Sequence, residues 1–154
     1  MKSRVLEGVS AGVFVAAWWL AATVIPMLPA IIPSHFNWSG AADGTGPKAA
    51  LWALPVVVTV LYAGLTGAGF MPRTWMNYPV KITDRNRDAV YALNREMVPA
   101  LKAATLLTTL IVEWGALDAA QRGAMSPYFN GAVIAALVLT FGVVAYYTLK
   151  MRAA

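Results

Sequence analysis

The chain has 154 residues, of which 59% are hydrophobic and 12% charged, and its mean hydropathy is +0.60. Soluble domains carry about 25% charged residues, so this composition excludes an ordinary soluble domain and indicates a polytopic membrane protein. The net charge of +5 comes from basic residues that flank the apolar segments, which is typical of topology signals and not of a nucleic-acid-binding surface. Because cysteine is absent, disulfides, thiolate catalysis and cysteine-based metal sites are excluded.

Four apolar segments are each long enough to cross a bilayer, since a hydrocarbon core of about 30 Å needs about 20 helical residues. The sequence therefore predicts an all-α, polytopic fold in a single membrane domain over 1–154, with four transmembrane spans at about 8–28, 49–71, 97–117 and 129–149. A cleaved signal peptide is the alternative for the first segment, because Lys2 and Arg4 precede it. Its apolar run is too long for that reading and ends without a clean cleavage site, so we expect a retained span.

Two longer connections separate these spans, a loop over 29–48 and a connection over 72–96. In the second connection, Thr83 is predicted to cap a helix that carries Asp84 in its first turn. We expect this stretch to form a short interfacial helix that leads into the third span, where Pro99 could introduce a kink.

The distribution of Lys and Arg predicts the orientation of the chain in the membrane. The two termini and the stretch from Arg73 to Arg95 together carry nine basic residues, whereas the opposite side carries Lys48 and Arg122. By the positive-inside rule, both termini and the middle connection are predicted to be cytoplasmic and the 29–48 loop external. The expected location is the cytoplasmic (inner) membrane of a bacterium, as a multi-pass protein.

The loop over 29–48 is predicted to be ordered, because it is rich in residues that form turns. Asp43-Gly44 indicates a turn, and Asn37 and Asp43 are expected to accept hydrogen bonds from backbone N–H groups. His35, the only histidine of the chain, is expected to pack on Trp38 or Phe36.

A metal site is the alternative interpretation of the same loop. His35 and Asp43 could bind a divalent cation together with Glu113 and Asp118, since imidazole and carboxylate groups are common metal ligands. Nothing in the spacing of these residues favours their convergence, so no metal or other cofactor is predicted.

The third span contains charged residues, which are costly inside a bilayer and usually face a bundle interior or a cavity. Lys102, Thr109 and Glu113 fall within about 40° of one another around a helix, and Thr105 lies at their flank. One interpretation is a polar seam for a substrate, an ion or a partner. The other is that Lys102 extends to the inner membrane interface and Glu113 to the outer one.

Two motifs resemble a family of uncharacterised bacterial membrane domains, which also forms the N-terminal part of SdpI-type toxin-immunity proteins. The first lies in the 29–48 loop and consists of Pro29, Pro33, His35, Phe36, Asn37, Gly40, Asp43 and Lys48. The second lies in the connection and consists of Asn77, Tyr78, Pro79, Asn86, Tyr91 and Arg95, as in stand-alone members. The resemblance covers roughly residues 1 to 110, and we expect no counterpart of the additional C-terminal membrane domain that SdpI-type proteins carry. It implies a small cell-membrane protein, with toxin immunity as one role.

The expected function is that of a binding, accessory or immunity-like protein that presents the loop outside the cell. Its expected partners are the lipid bilayer and another membrane protein or a peptide, with no nucleic acid, and an oligomer is possible. A small transporter or ion-handling protein that uses the polar seam is the alternative, and so is a subunit of a larger membrane complex. An enzyme is not expected, because no nucleophile elbow, HExxH motif or Walker loop is present.

Overall fold

In the computed structural model, which describes residues 2–154, helices dominate. The helices are α1 (Lys2–Val24), α2 (Ala53–Phe70), α3 (Arg87–Arg122) and α4 (Phe129–Ala153). Short 3₁₀ turns at Ile25–Met27, Lys48–Trp52 and Arg73–Trp75 adjoin them. Within residues 2–154, four helices are long and apolar enough to cross a membrane. The second of them includes the 3₁₀ turn that begins at Lys48. The helical architecture is thus confirmed, and by the length and composition of its helices the chain is a multi-pass membrane protein.

Helix α3 lies at the centre of the bundle and packs against α1, α2 and α4. Because successive helices run in opposite directions, the bundle has two distinct ends. We call them the hairpin end, with residues 25–52 and 118–128, and the terminal end, with the start of α1, residues 71–86 and the end of α4.

Small side chains let α1 approach α3 closely. Val13 and Ala17 of α1 form one buried cluster with Val58 of α2 and Leu106 of α3. A second cluster, nearer the hairpin end, joins Ala21 and Ile25 to Leu117. Close contact of this kind is how helices associate in a membrane, where van der Waals packing replaces the hydrophobic effect.

Helix α4 packs chiefly on α3 and leaves most of its surface open. Of its residues, only Ala136 and Met151 are buried, and large apolar side chains such as Phe141 are exposed. The contact with α3 includes the ring of Phe129, which fills the space beside Gly115 where a Cβ atom would overlap it. The exposed apolar surface of α4 is what a lipid-facing helix requires.

The amphipathic stretch before the third span is helical and leads directly into that span, as expected, but Thr83 is not the residue that caps it. Thr83 and Asn86 instead form a hydrogen-bonded turn, in which the Thr83 N–H donates to the Asn86 side chain at 2.8 Å. The helix begins directly after this turn, at Arg87, and runs without interruption through Pro99 to Arg122. The amphipathic residues thus form the first turns of α3 itself, because nothing after the turn stops the helix before the apolar segment.

The 29–48 loop folds as an antiparallel β-hairpin, which the sequence analysis did not predict. Strand β1 (Ile31–Phe36) pairs with β2 (Ala42–Pro47), in a register that places Ile32 opposite Gly46 and His35 opposite Gly44. Ile32 is buried with Leu28 and Ala120, and Val24 packs against them, so the hairpin is attached to the ends of α1 and α3.

Candidate functional site

The tip of the hairpin is built around the side chain of Asn37. Its Oδ1 atom accepts hydrogen bonds from Ser39 N at 3.0 Å, from Ser39 Oγ at 2.7 Å and from Ala41 N at 3.1 Å. Gly40 has a φ of +82°, a left-handed conformation that glycine adopts without strain. The tip therefore has one defined conformation, fixed by a local side-chain acceptor.

The hairpin tip is also tied to the connection between α3 and α4. Ala41 forms an isolated bridge with Ala124, and Met125 N donates to Gly40 O at 2.9 Å. A Cβ atom at Gly40 would lie 3.1 Å from Met125 O, so glycine is needed for this close approach as well. These contacts pair backbone groups of the tip and hold the hairpin against the bundle.

A groove of about 720 Å³ lies between the hairpin tip and the α3–α4 connection. Its walls include Phe36, Asp43, Ser126 and Asn130, so it offers both apolar and polar contacts. Beside it, the Trp38 side chain is 99% exposed and therefore packs on no other part of the described chain. The expected contact of His35 with Trp38 is wrong for this reason.

His35 lies across the strand pair from Gly44 and packs on it. A Cβ atom at Gly44 would lie 3.0 Å from the His35 Cβ atom. The expectation that Asn37 accepts backbone hydrogen bonds is confirmed, whereas Asp43 is exposed and its carboxylate makes no hydrogen bond among the described residues. Within residues 2–154, no three His, Cys, Asp or Glu side chains are grouped as metal ligands would be.

Lys48 and Pro33 have structural positions in the same motif. Lys48 Nζ donates to Pro26 O at 3.0 Å and to Leu28 O at 2.6 Å. These carbonyls follow the end of α1, where they have no helical partner. Pro33 lies in β1 opposite Thr45, in a strand with one free edge, where its missing N–H is tolerated.

Lys102 is fully buried and forms an ion pair with Glu7 of α1. Its Nζ atom lies 2.7 Å from Glu7 Oε2 and 4.0 Å from the centroid of the Tyr62 ring. The Lys102 side chain is 0% exposed and that of Glu7 is 48% exposed. Extension of Lys102 to the membrane interface is therefore wrong, because the side chain points into the bundle toward α1 and α2.

A cavity of about 500 Å³ opens beside this ion pair, at the terminal end of the bundle. Glu7 lines it together with Arg73, Asn94, Arg95 and apolar side chains of α2 and α3. The half-exposed carboxylate of Glu7 therefore contacts the buried Lys102 ammonium group and also lines the open cavity.

The residues of the predicted second motif lie around this end of the bundle but do not form one site. The rings of Tyr78 and Tyr91 are 5.5 Å apart, and the Arg73 guanidinium lies 5.2 Å from the Tyr91 centroid. Burial raises the pKa of Tyr78, the neighbouring Tyr91 raises it further, and Arg73 lowers it. Asn77 and Pro79 are exposed in the connection, and Arg95 is in the cavity wall.

The predicted polar seam is divided between two places. Lys102 is bound to Glu7, whereas Glu113 lies farther along α3 and is 0% exposed, with no hydrogen-bond partner for either carboxylate oxygen among the described residues. Between them, Thr109 Oγ1 donates to Thr105 O of its own helix at 2.9 Å. Extension of Glu113 to the outer interface is wrong as well.

Sequence reasoning missed three polar residues that form contacts between the third span and its neighbouring helices. Glu7 could have been found, since it is the single acidic residue at the margin of the first apolar segment. Thr108 and Thr140 approach each other at 3.0 Å between α3 and α4. Such hydroxyl pairs have no distinctive sequence signal, because most threonines in spans bond to their own helix.

Comparison with known proteins gives one family match. Residues 12–59 match the family described as domain of unknown function DUF1648. The matched segment covers most of α1, the hairpin and the first part of α2. This segment is therefore similar to a membrane-type domain of unknown function, in agreement with the coarser part of the resemblance. Neither the curated proteins nor the solved structures contain a match.

We predict that the hairpin depends on Asn37 and not on Asp43. Asn37→Ala removes the acceptor of three hydrogen bonds and should lower the free energy of unfolding by about 2 kcal/mol. Asn37→Asp keeps the acceptor and should be much milder, and Asp43→Ala should be neutral. Thermal unfolding of the purified variants in detergent, with and without chelator, measures this. Equal losses for Asn37→Ala and Asp43→Ala, or stability that depends on chelator, would contradict it.

We also predict that replacing Glu7 lowers stability more than replacing Lys102 does. Glu7→Ala leaves a buried ammonium group without its carboxylate and should cost about 3 kcal/mol. Lys102→Met keeps the apolar stem and leaves a half-exposed carboxylate, so its effect should be smaller. The double variant should be more stable than the sum of the single losses predicts. Thermal unfolding provides the measurement, Glu96→Ala is the exposed control, and strict additivity would show that the ion pair does not form.

Proposed function

We propose that this small membrane protein binds a partner through the hairpin, and that the partner is another membrane protein or a peptide. The observation that carries this proposal is the fully exposed Trp38 at the tip of a rigid hairpin, beside a groove of mixed polarity. Tryptophan is enriched among the residues that contribute most to protein interfaces. A rigid loop also loses little conformational entropy on binding, which favours affinity.

The family match and the charge distribution support a more specific version of this proposal. Residues 12–59, which match the domain of unknown function, include the complete hairpin. The asymmetry of basic residues favours an external hairpin with both termini in the cytoplasm, in the cytoplasmic membrane of a bacterium. With the resemblance to SdpI-type proteins, this favours an accessory or immunity-like role in which the hairpin meets a secreted peptide.

The buried charges of α3 favour a second candidate, a small transporter or ion-handling protein. Ionisable side chains inside a span most often serve ion or substrate pathways. Lys102 and Glu113 are both fully buried, and Glu7, which pairs with Lys102, lines the cavity at the terminal end. This role fits an oligomer or a subunit of a larger complex, in which the exposed surface of α4 would be covered by other helices.

The orientation is tested by cysteine labelling, because the chain has no native cysteine. Single cysteines at Ser39 in the hairpin tip and at Thr74 in the connection are both exposed. An impermeant maleimide applied to intact cells should label Ser39→Cys, and Thr74→Cys should react only after permeabilisation. The reverse pattern would place the hairpin in the cytoplasm and contradict the external role.

Site-specific photo-crosslinking tests the binding role. A photoreactive amino acid at Ser39 should give a discrete protein or peptide adduct in native membranes, and one at Phe141 of α4 should give lipid adducts. Trp38→Ala should reduce the hairpin adduct about 30-fold, the loss expected when a residue worth about 2 kcal/mol is truncated. Met27→Ala, an exposed apolar control at the same end, should leave the yield unchanged. A yield unaffected by Trp38→Ala, or lipid as the only adduct at Ser39, would contradict the proposal.

A further inference from the structure

We infer that Glu113 is a proton-binding site inside the bundle, whose carboxyl group holds a hydrogen ion in the folded protein. This site is separate from the hairpin and does not depend on the proposed partner. Glu113 is 0% exposed, and neither of its oxygens has a hydrogen-bond partner among the residues that the structure describes. It lies in the second half of α3, one turn before the buried Leu117.

The buried clusters on either side of Glu113 along α3 are apolar. On one side along α3, Leu110 belongs to the cluster that includes Ala17 and Val58; on the other, Leu117 belongs to the cluster with Ala21. The segments 8–28, 49–71 and 129–145, which include the apolar parts of α1, α2 and α4, contain no charged or titratable side chain except Tyr62. Tyr62 itself lies against Lys102.

The nearest charged groups are all engaged elsewhere. Lys102 is eleven residues away along α3, about 16 Å, and is paired with Glu7. Asp118 accepts a hydrogen bond from Arg122 at 2.7 Å. Lys48 is bound to the carbonyls of Pro26 and Leu28. No described cation is therefore available to neutralise a Glu113 carboxylate.

A hydrogen ion fits this site better than a metal cation does. An isolated carboxylate in an apolar interior neutralises by taking up a proton, since burial of the unpaired charge is too costly. Na⁺, Mg²⁺ or Ca²⁺ would need several oxygen ligands. Within residues 2–154 no other acidic side chain is grouped with Glu113, and the nearby Thr109 hydroxyl is bonded to Thr105 O.

The test uses dicyclohexylcarbodiimide, an apolar reagent that adds to protonated carboxylic acids. The acid proton moves to a carbodiimide nitrogen, the carboxyl oxygen bonds to the central carbon, and the adduct rearranges to a stable N-acylurea without any other reactant. Purified protein in liposomes at about pH 7 is treated and mapped by peptide mass spectrometry. We expect Glu113 to be labelled at least 10-fold more than Glu7 or Glu96, because the apolar reagent reaches a neutral carboxyl group inside the bundle, whereas Glu7 is paired with Lys102 and Glu96 is exposed to water.

Matched variants and added cations complete the experiment. Glu113→Gln, which resembles the protonated acid in shape and charge, should keep the thermal stability of the parent and lose the adduct. Glu96→Gln should leave labelling at Glu113 unchanged. An unlabelled Glu113 in folded wild-type protein would overturn the inference, and so would protection by Na⁺, K⁺ or Ca²⁺, since that would show a bound cation. Because the wild-type peptide map gives the decisive result, the inference is tested even if Glu113→Gln does not fold. The labelling result at Glu113 and the crosslinking result at the hairpin are independent, so either proposal can fail without the other.

Discussion

The close packing of α1 on α3 is the contact on which the rest of the structure depends. It places Ala17 and Ala21 opposite Leu106 and Leu117, and small residues on one side allow the two backbones to approach. The same approach brings Glu7 within reach of Lys102, so the ion pair at the terminal end is a consequence of the helix contact. At the other end, Ile32 packs with Ala120, so the position of the hairpin follows from the same pair of helices.

Internal hydrogen bonding of backbone groups at the hairpin end explains why this short loop is ordered. A membrane protein must satisfy its backbone groups internally wherever water is scarce. The Lys48 ammonium group donates hydrogen bonds to the carbonyl oxygens that follow α1. The pairing of β1 with β2 provides hydrogen-bond partners for many backbone groups of the loop. Ala41 and Met125 continue this pairing into the α3–α4 connection. The hairpin is therefore part of the membrane domain and not an appended loop.

The helices could be predicted from the sequence, because long apolar segments in a bilayer have few alternatives to a helix. The hairpin could not, because its strands contain Pro33, Gly44 and Gly46 and lack the alternating pattern of a strand. A strand of this kind forms only because the bundle anchors Ile32 and fixes the tip at Ala124. The turn residues were recognised, but Asn37 and not Asp43 supplies the acceptor.

The buried charges show a similar limit of sequence reasoning. Helical periodicity places Lys102 and Glu113 on one face of α3, and both are indeed buried. Periodicity within one helix says nothing about which residue of another helix comes opposite. Glu7 is 95 positions from Lys102 along the chain, and only the packing of α1 on α3 brings the two together. That Glu113 has no hydrogen-bond partner among the described residues likewise depends on the three other helices.

The length of α3 has a mechanical consequence for the molecule. Its 36 residues extend for about 54 Å, well beyond the hydrocarbon core of about 30 Å. A helix of this length must tilt, project from the bilayer or do both. The projecting turns at the terminal end carry Arg87 and Arg95, and the opposite end meets the connection that holds the hairpin tip. Because α3 is one continuous helix, a change of its tilt at one side of the membrane also moves its end at the other side.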